Sequence, residues 1–129
     1  MPGQRVTVVG AGNVGATTAF IAANRRLGEI VLLDIVKGLP EGKALDMAEA
    51  SPIQLSQQEI RGTTDWAATA GSDVVIITSG VPRKPGMSRD DLVAINAGIV
   101  RDVSLKVAEL SPDATVIVVS NPLDVMVYV

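Results

Sequence analysis

The sequence predicts an α/β fold in which a parallel sheet is doubly wound, with one domain over residues 1–129. Short runs of apolar β-formers alternate with longer segments of helical pattern, which is typical of consecutive strand–helix–strand units. Apolar residues make up 47% of the chain, yet it holds one Trp, one Tyr and one Phe. The core is therefore aliphatic, which suits the strands of a buried parallel sheet.

The first strand, over residues 6–9, breaks into glycines that open an alanine-rich helix near Asn13. Gly10 would permit a tight turn, Gly12 would let a pyrophosphate approach the backbone, and Gly15 would let the helix lie close to the strand. The start of that helix offers unpaired N–H groups and a positive dipole end to a phosphate.

The second strand, over residues 30–33, ends in Asp34, nineteen residues after Gly15. A carboxylate at this spacing could accept hydrogen bonds from the ribose hydroxyls of an adenosine. The combined pattern favours dinucleotide binding over a purely structural turn. Because a 2′-phosphate would meet a like charge at Asp34, and no arginine follows it, the pattern favours NAD over NADP.

The other elements follow from periodicity and from helix boundaries. Further strands are predicted over residues 59–64, 73–78 and 115–119, the first at a sheet edge and the other two continuously apolar. Helices are predicted over residues 13–27, 41–50, 66–70 and 123–129.

Particular residues refine these elements. Gly28 is a natural C-terminal cap for the first helix, and Asp65 could cap the short helix that follows it. Leu45 is expected in the core, and Gly62 weakens the edge strand.

A long helix begins at the capping box of Ser88 and Asp91 and ends before Ser111. Its apolar face is predicted to consist of Leu92, Ile95, Ile99, Val103, Val107 and Leu110.

The loop over residues 80–87 has two prolines, two glycines and two cations, which predicts irregular structure. It is either a solvated surface loop or part of a ligand site, because it leaves the carboxyl end of a central parallel strand. Arg89 follows in the first helical turn, where a cation is unfavourable to the dipole, so an anion-binding role is plausible. Asn121 and Pro122 follow the fifth strand and either form a simple turn or aim a carboxamide at a ligand.

Composition excludes several function classes. The formal net charge of −3, without a basic cluster, argues against nucleic acid or an anionic membrane as partner. No cysteine, apolar leader or membrane-length apolar run is present, so we expect a soluble cytoplasmic protein without a disulfide. No histidine occurs either, so acid–base chemistry would fall to carboxylates, lysine or tyrosine, and no metal site is expected.

Four motifs in the same order resemble those of the lactate/malate dehydrogenase family, particularly its malate dehydrogenase branch of the bacterial kind. They are Gly10-Ala-Gly12-Asn-Val-Gly15, Gly38-Leu-Pro-Glu-Gly42-Lys-Ala-Leu-Asp46, Thr78-Ser-Gly80-Val-Pro-Arg83-Lys-Pro-Gly86-Met-Ser-Arg89-Asp-Asp-Leu92 and Ser120-Asn121-Pro122-Leu-Asp124. The resemblance implies a Rossmann fold with strand order 3-2-1-4-5 whose final strand is missing, NAD as cofactor, and a small dicarboxylate as substrate.

The resemblance also implies residue roles. Arg83 would pair with the second carboxylate of malate or oxaloacetate, since a guanidinium grips a carboxylate in two hydrogen bonds. Arg89 and Asn121 would act in substrate binding and catalysis on the ketone oxygen, and Asn96 would lie near the cofactor. The full set of cofactor-binding residues is expected to be Gly10, Gly12, Asn13, Val14, Gly15, Asp34, Ile35, Thr78, Gly80, Asn96, Val119 and Asn121.

The second half of the family, with its catalytic histidine, has no counterpart in these residues. We therefore expect an NAD-binding domain without its catalytic and substrate domain, which binds cofactor but does not turn over. The alternative is a stand-alone or engineered minimal NAD-binding module, although such a module has no use for Arg83. A structural protein that has lost ligand binding is disfavoured by the glycines and Asp34. Self-association is expected through apolar residues near 45–48 and 123–129.

Overall fold

A computed structural model of the chain describes residues 3–53 and 59–129. Strands and helices alternate along it, with a short 3₁₀ helix (Trp66–Thr69) before the fourth strand. The elements are β1 (Arg5–Val9), α1 (Asn13–Asn24), β2 (Glu29–Leu33), α2 (Leu39–Ala50), β3 (Ile60–Thr63), β4 (Val74–Ile77), α3 (Arg89–Leu110), β5 (Thr115–Val118) and α4 (Leu123–Met126).

The five strands form one parallel sheet in the order β3-β2-β1-β4-β5, which confirms the predicted fold class and strand order. Val9 at the end of β1 is level with Leu33 of β2 and Ile77 of β4. The carboxyl ends of the strands therefore meet at one edge. The chain turns to opposite sides of the sheet between β1 and β4, where open α/β sheets bind ligands.

Two aliphatic clusters cover the two faces of the sheet, because successive strand residues point to opposite sides. Residues of α1 and α2 pack on one face and residues of α3 on the other. The first cluster consists of Val6, Val8, Ala11, Ala19, Ala22, Ala23, Ile30 and Leu32, and the second of Val9, Leu33, Val75, Ile77, Val103 and Val107. The central strands β1 and β2 are buried on both faces.

The predicted end of α1 was wrong. The helix ends at Asn24, and Arg26 takes a left-handed conformation with φ 54°. Gly28 is needed for a different reason: its φ is 135°, and a Cβ there would overlap the backbone of Gln4 beside the entry to β2. Glycine is required here by the close contact with the Gln4 backbone, and not by helix capping.

Two predicted core positions are also wrong. Leu45 is 59% exposed, and its neighbour Ala44 is buried instead. Ile95 is exposed as well, because the buried stripe of α3 passes through Asn96 and Val100. The apolar pattern predicts a face through Ile95, whereas the face that packs on the sheet contains the polar Asn96.

The two edge strands of the sheet, β3 and β5, differ in how closely other elements cover them. At β3, a Cβ on Gly62 would overlap the backbone of Pro40, so this glycine lets the start of α2 approach the strand closely. At β5, Val116 and Ile117 are exposed although the sequence reads as continuously apolar. Among the described residues, no helix is both long and apolar enough to cross a bilayer.

Candidate functional site at the carboxyl edge of the sheet

The turn from β1 into α1 holds three glycines, of which two are required by the fold of the turn itself. Gly10 has φ 106°, and a Cβ there would lie 2.6 Å from Thr78 Oγ1. Gly15 is buried, and a Cβ there would overlap the carbonyl oxygen of Gly10. These two glycines are therefore required by the turn and by the close contact of helix and strand.

Gly12 has no such requirement. Its φ of −68° is open to any residue, and a Cβ there would meet nothing within 4 Å in the described structure. It is exposed at the N-cap of α1. The free space in front of Gly12 is what a ligand pressed against the backbone would need.

The N-terminus of α1 is left open to an anion. Within the part of the chain that the structure describes, no side chain caps this N-terminus, and the first turn of α1 holds no acidic residue. In contrast, Ser88 caps α3, whose first turn contains Asp90 and Asp91. The first N–H groups of α1 and the positive end of its dipole therefore favour an anion bound in front of Gly12.

Asp34 is fixed beside the glycine turn. Its Oδ2 accepts from the Ala11 N–H at 2.7 Å, and its Oδ1 accepts from the Val36 N–H at 3.0 Å. Because an ionised carboxylate offers about four acceptor positions, it can accept further hydrogen bonds from a ligand. Ile35, which follows it, is 91% exposed, so an apolar surface adjoins the carboxylate.

Hydroxyl groups tie the ends of β1, β4 and β5 together. Thr78 Oγ1 lies 3.0 Å from the Val9 carbonyl oxygen, and the Ser79 hydroxyl donates to the same oxygen at 3.1 Å. The buried Ser120 hydroxyl donates to the carbonyl oxygen of Ser79. These contacts place the Thr78 side chain directly against the glycine turn, between the turn and the end of β4.

Asn121 and Asn96 meet at the end of β5. Asn121 is exposed and is joined to Pro122 by a cis peptide bond, whereas Asn96 is buried and donates to the Asn121 carbonyl oxygen at 2.7 Å. Val119, just before this turn, and Gly80, after β4, are both exposed at the same edge.

The two arginines lie on the loop and helix that follow β4. Arg83 is exposed and its Nε donates to the Met87 carbonyl oxygen at 3.3 Å, and Arg89 is the first residue of α3. Neither guanidinium forms an ion pair within residues 3–53 and 59–129. Both remain available for an anionic ligand.

The capping box at the start of α3 is confirmed. The Ser88 hydroxyl accepts from the Asp91 N–H, and Asp91 accepts from the Ser88 N–H, each at 3.0 Å. The hydrogen bond from the Ser88 backbone, followed by that with its side chain, lowers the pKa of the Asp91 carboxyl. Asp91 is thus engaged with the backbone at the helix start.

Comparison with known proteins identifies the domain. The family model described as the lactate/malate dehydrogenase NAD binding domain matches residues 4–129. The chain belongs to that family. It is 59% identical over 126 residues to the malate dehydrogenase of Desulforudis audaxviator, covering 98% of this chain and 41% of that protein. The malate dehydrogenase of Heliobacterium modesticaldum is 57% identical over 129 residues, which are 100% of this chain and 42% of that protein.

Solved structures agree with this assignment. The apo malate dehydrogenase of Picrophilus torridus is 45% identical with a TM-score of 0.93, over 97% of this chain and 40% of that one. The malate dehydrogenase of Archaeoglobus fulgidus in complex with NADH is 40% identical with a TM-score of 0.91, over 97% and 43%. This NAD binding domain therefore spans about two-fifths of the length of its relatives.

Sequence reasoning missed some contacts of this NAD binding domain. The hydrogen bond from the Ala11 N–H to Asp34 could not be predicted, because every residue except proline has a backbone N–H. Ser79 and Ser120 could have been found, since each is a hydroxyl residue shortly after an apolar strand that ends at this edge.

Proposed function

We propose that this domain holds NAD(H) along the carboxyl edge of its sheet, with the pyrophosphate at Gly12, as the cofactor half of a malate dehydrogenase. The observation that carries the proposal is Gly12 itself, since neither its backbone conformation nor any atom of the described residues requires a glycine there. A ligand that must approach the backbone supplies the missing reason.

The surrounding residues fix the direction of the dinucleotide. The α1 N-terminus, including Asn13 and Gly15, would donate to the pyrophosphate. Asp34 would accept from the adenosine ribose hydroxyls, and the exposed Ile35 and Val14 offer apolar contact to the adenine ring.

The nicotinamide end then extends to the other side of the switch point. Gly80, Val119 and Asn121 lie there at the ends of β4 and β5, while Thr78 supports the turn beneath. The cofactor, when bound, supplies or accepts a hydride. The residues of this chain orient it.

Substrate binding is assigned to Arg83 and Arg89, which lie on the loop and helix that follow β4. Arg83 would grip the distal carboxylate of malate or oxaloacetate, and Arg89 with Asn121 would donate to the oxygen that gains charge as hydride arrives at the carbon. Hydride transfer also needs a proton, and the chain has no histidine. We infer that the chain alone binds cofactor without catalysing turnover.

The alternative is a cofactor-binding module without a catalytic role. Arg83 favours the dehydrogenase, because an exposed guanidinium without an ion pair in the described structure is available to a substrate carboxylate, for which a pure cofactor binder has no use. We also propose that the chain self-associates through exposed apolar residues near 123–129 and near 45–48, which include Leu45, Leu123, Val127 and Tyr128. Sedimentation that shows monomer alone at high concentration would exclude this.

Calorimetric titration of the chain with NADH, and with NADPH as control, tests the proposed site. We expect saturable NADH binding and at least tenfold weaker NADPH binding, because the 2′-phosphate would meet Asp34. The variant Asp34→Ser, which removes the charge, should narrow that difference. A folded chain that binds neither nucleotide would refute the proposal.

A further inference from the structure

Asn96 is a buried polar residue on the otherwise aliphatic inner face of α3. It is 2% exposed and lies one turn before Val100, on the stripe that continues to Val103 and Val107. A primary amide is costly to bury unless its hydrogen-bonding groups are paired. The position of Asn96 therefore has to be explained by its partners.

Those partners are two backbone segments that are far apart in sequence. Asn96 Oδ1 accepts from the Val81 N–H at 2.9 Å, and Nδ2 donates to the Val81 carbonyl oxygen at 3.3 Å. Nδ2 also donates to the Asn121 carbonyl oxygen at 2.7 Å. Both amide hydrogens are thus committed to the protein, and none is left to donate to a ligand.

The two segments are those that carry the polar residues of the nicotinamide end. Val81 begins the loop that holds Arg83, and Asn121 follows β5. The edge strand β5, which leads to Asn121, is largely exposed, so burial fixes the Asn121 segment less firmly than it fixes the glycine turn. Gly80 makes room for this link, because a Cβ there would lie 3.2 Å from Asn96 Oδ1.

We infer that Asn96 is a positioning residue, which clamps the Val81 and Asn121 backbones together and thereby holds the nicotinamide end of the site in shape. This inference rests on the proposed function. It assigns Asn96 an indirect action through its two partners, and it places that action away from Gly12 and Asp34.

Two variants remove the clamp to different extents. Asn96→Ala removes all three hydrogen bonds. Asn96→Asp has nearly the same shape, and its ionised carboxylate can still accept from the Val81 N–H but can donate nothing to Asn121. Val100→Ala is the matched control, because it creates a cavity on the same buried stripe and leaves the Asn96 hydrogen bonds to Val81 and Asn121 in place.

The test compares two ligands that differ only at one end. NADH carries the nicotinamide ring, and ADP-ribose has the same adenosine, pyrophosphate and second ribose without it. We expect Asn96→Ala and Asn96→Asp to weaken NADH binding about tenfold, with little change for ADP-ribose. Val100→Ala should lower the melting temperature and leave the ratio of the two affinities unchanged.

Hydrogen exchange of the Val81 amide in the free chain tests the clamp separately. It should be slow in the unaltered chain and in Asn96→Asp, and fast in Asn96→Ala. An unchanged ratio of NADH to ADP-ribose affinity in Asn96→Ala would overturn the inference while leaving the proposed function in place. An unaltered chain that binds neither ligand would instead refute the proposed function.

Discussion

The two halves of the sheet hold their loops at the carboxyl edge by different means. In the half formed by β1, β2 and α1, Val8 and Leu32 are completely buried, and backbone contacts shape the glycine turn. In the half formed by β4, β5 and α3, Ile117 is 47% exposed. There, the Asn96 amide and the Ser120 hydroxyl tie the loops together.

The site therefore combines a glycine turn that is held by packing with loops that are held by side-chain hydrogen bonds. Core packing is stiff and tolerates little change of volume, whereas a network of a few hydrogen bonds can be loosened without unfolding the chain. Substitutions at the packed positions of the first half, such as Val8, Leu32 and Gly15, should therefore act mainly on stability. Substitutions that remove the hydrogen bonds of Asn96 or Ser120 in the second half should act mainly on the geometry of the site.

The largest expected difference is between Leu32→Ala and Ile117→Ala. Leu32 is fully buried in the cluster that α1 and α2 cover, so its truncation should cost about 3 kcal/mol of unfolding free energy. The exposed Ile117 should cost less than about 1 kcal/mol, because much of its side chain already meets water. Urea denaturation of both variants measures this, and equal losses would remove the distinction between the halves.

A second contrast uses two glycines. Gly15→Ala places a Cβ against the carbonyl oxygen of Gly10 and should destabilise the chain by about 1–3 kcal/mol as α1 is pushed off β1. Gly98→Ala adds a Cβ in the middle of α3 that would meet no atom of the described residues within 4 Å, and it should stabilise the chain by about 0.5–1 kcal/mol. Thermal unfolding of the two variants checks the signs, and a destabilised Gly98→Ala would contradict the open space at that position.

The smallest expected effect concerns the start of α3. The pKa of Asp91 is lowered in the folded chain, below its ordinary value of 3.8, so its ionised form contributes stability that is complete above that value. The contribution is lost as the pH falls through the folded pKa. The stability difference between the unaltered chain and Asp91→Asn should therefore shrink below about pH 4. A difference that does not change with acidification would exclude a charge effect at this cap.

Much of the packed half could be predicted from the sequence. Apolar runs predicted four of the strands and weak alternation predicted the edge strand β3, while the spacing of Gly10 and Gly15 predicted the turn, because these features are local. Helix faces were less certain. Leu45 was placed in the core where Ala44 is buried, since neighbouring positions on a short helix differ by only part of a turn.

The hydrogen-bonded half was harder to predict for a physical reason. The role of Asn96 depends on where the backbones of Val81 and Asn121 lie, and backbone groups have no residue-specific signature. A polar residue on a helix is normally assigned to the solvated face. Only the tertiary structure shows that its amide satisfies two separate segments.

The most direct test of the central claim is to measure the stability and NADH affinity of Gly12→Ser together. Serine is a favoured N-cap residue and finds open space at this position, so the variant should be at least as stable as the unaltered chain. Its side chain would occupy the place assigned to the pyrophosphate, so NADH binding should fall at least tenfold. A folded Gly12→Ser chain that binds NADH as tightly as the unaltered chain would contradict this assignment.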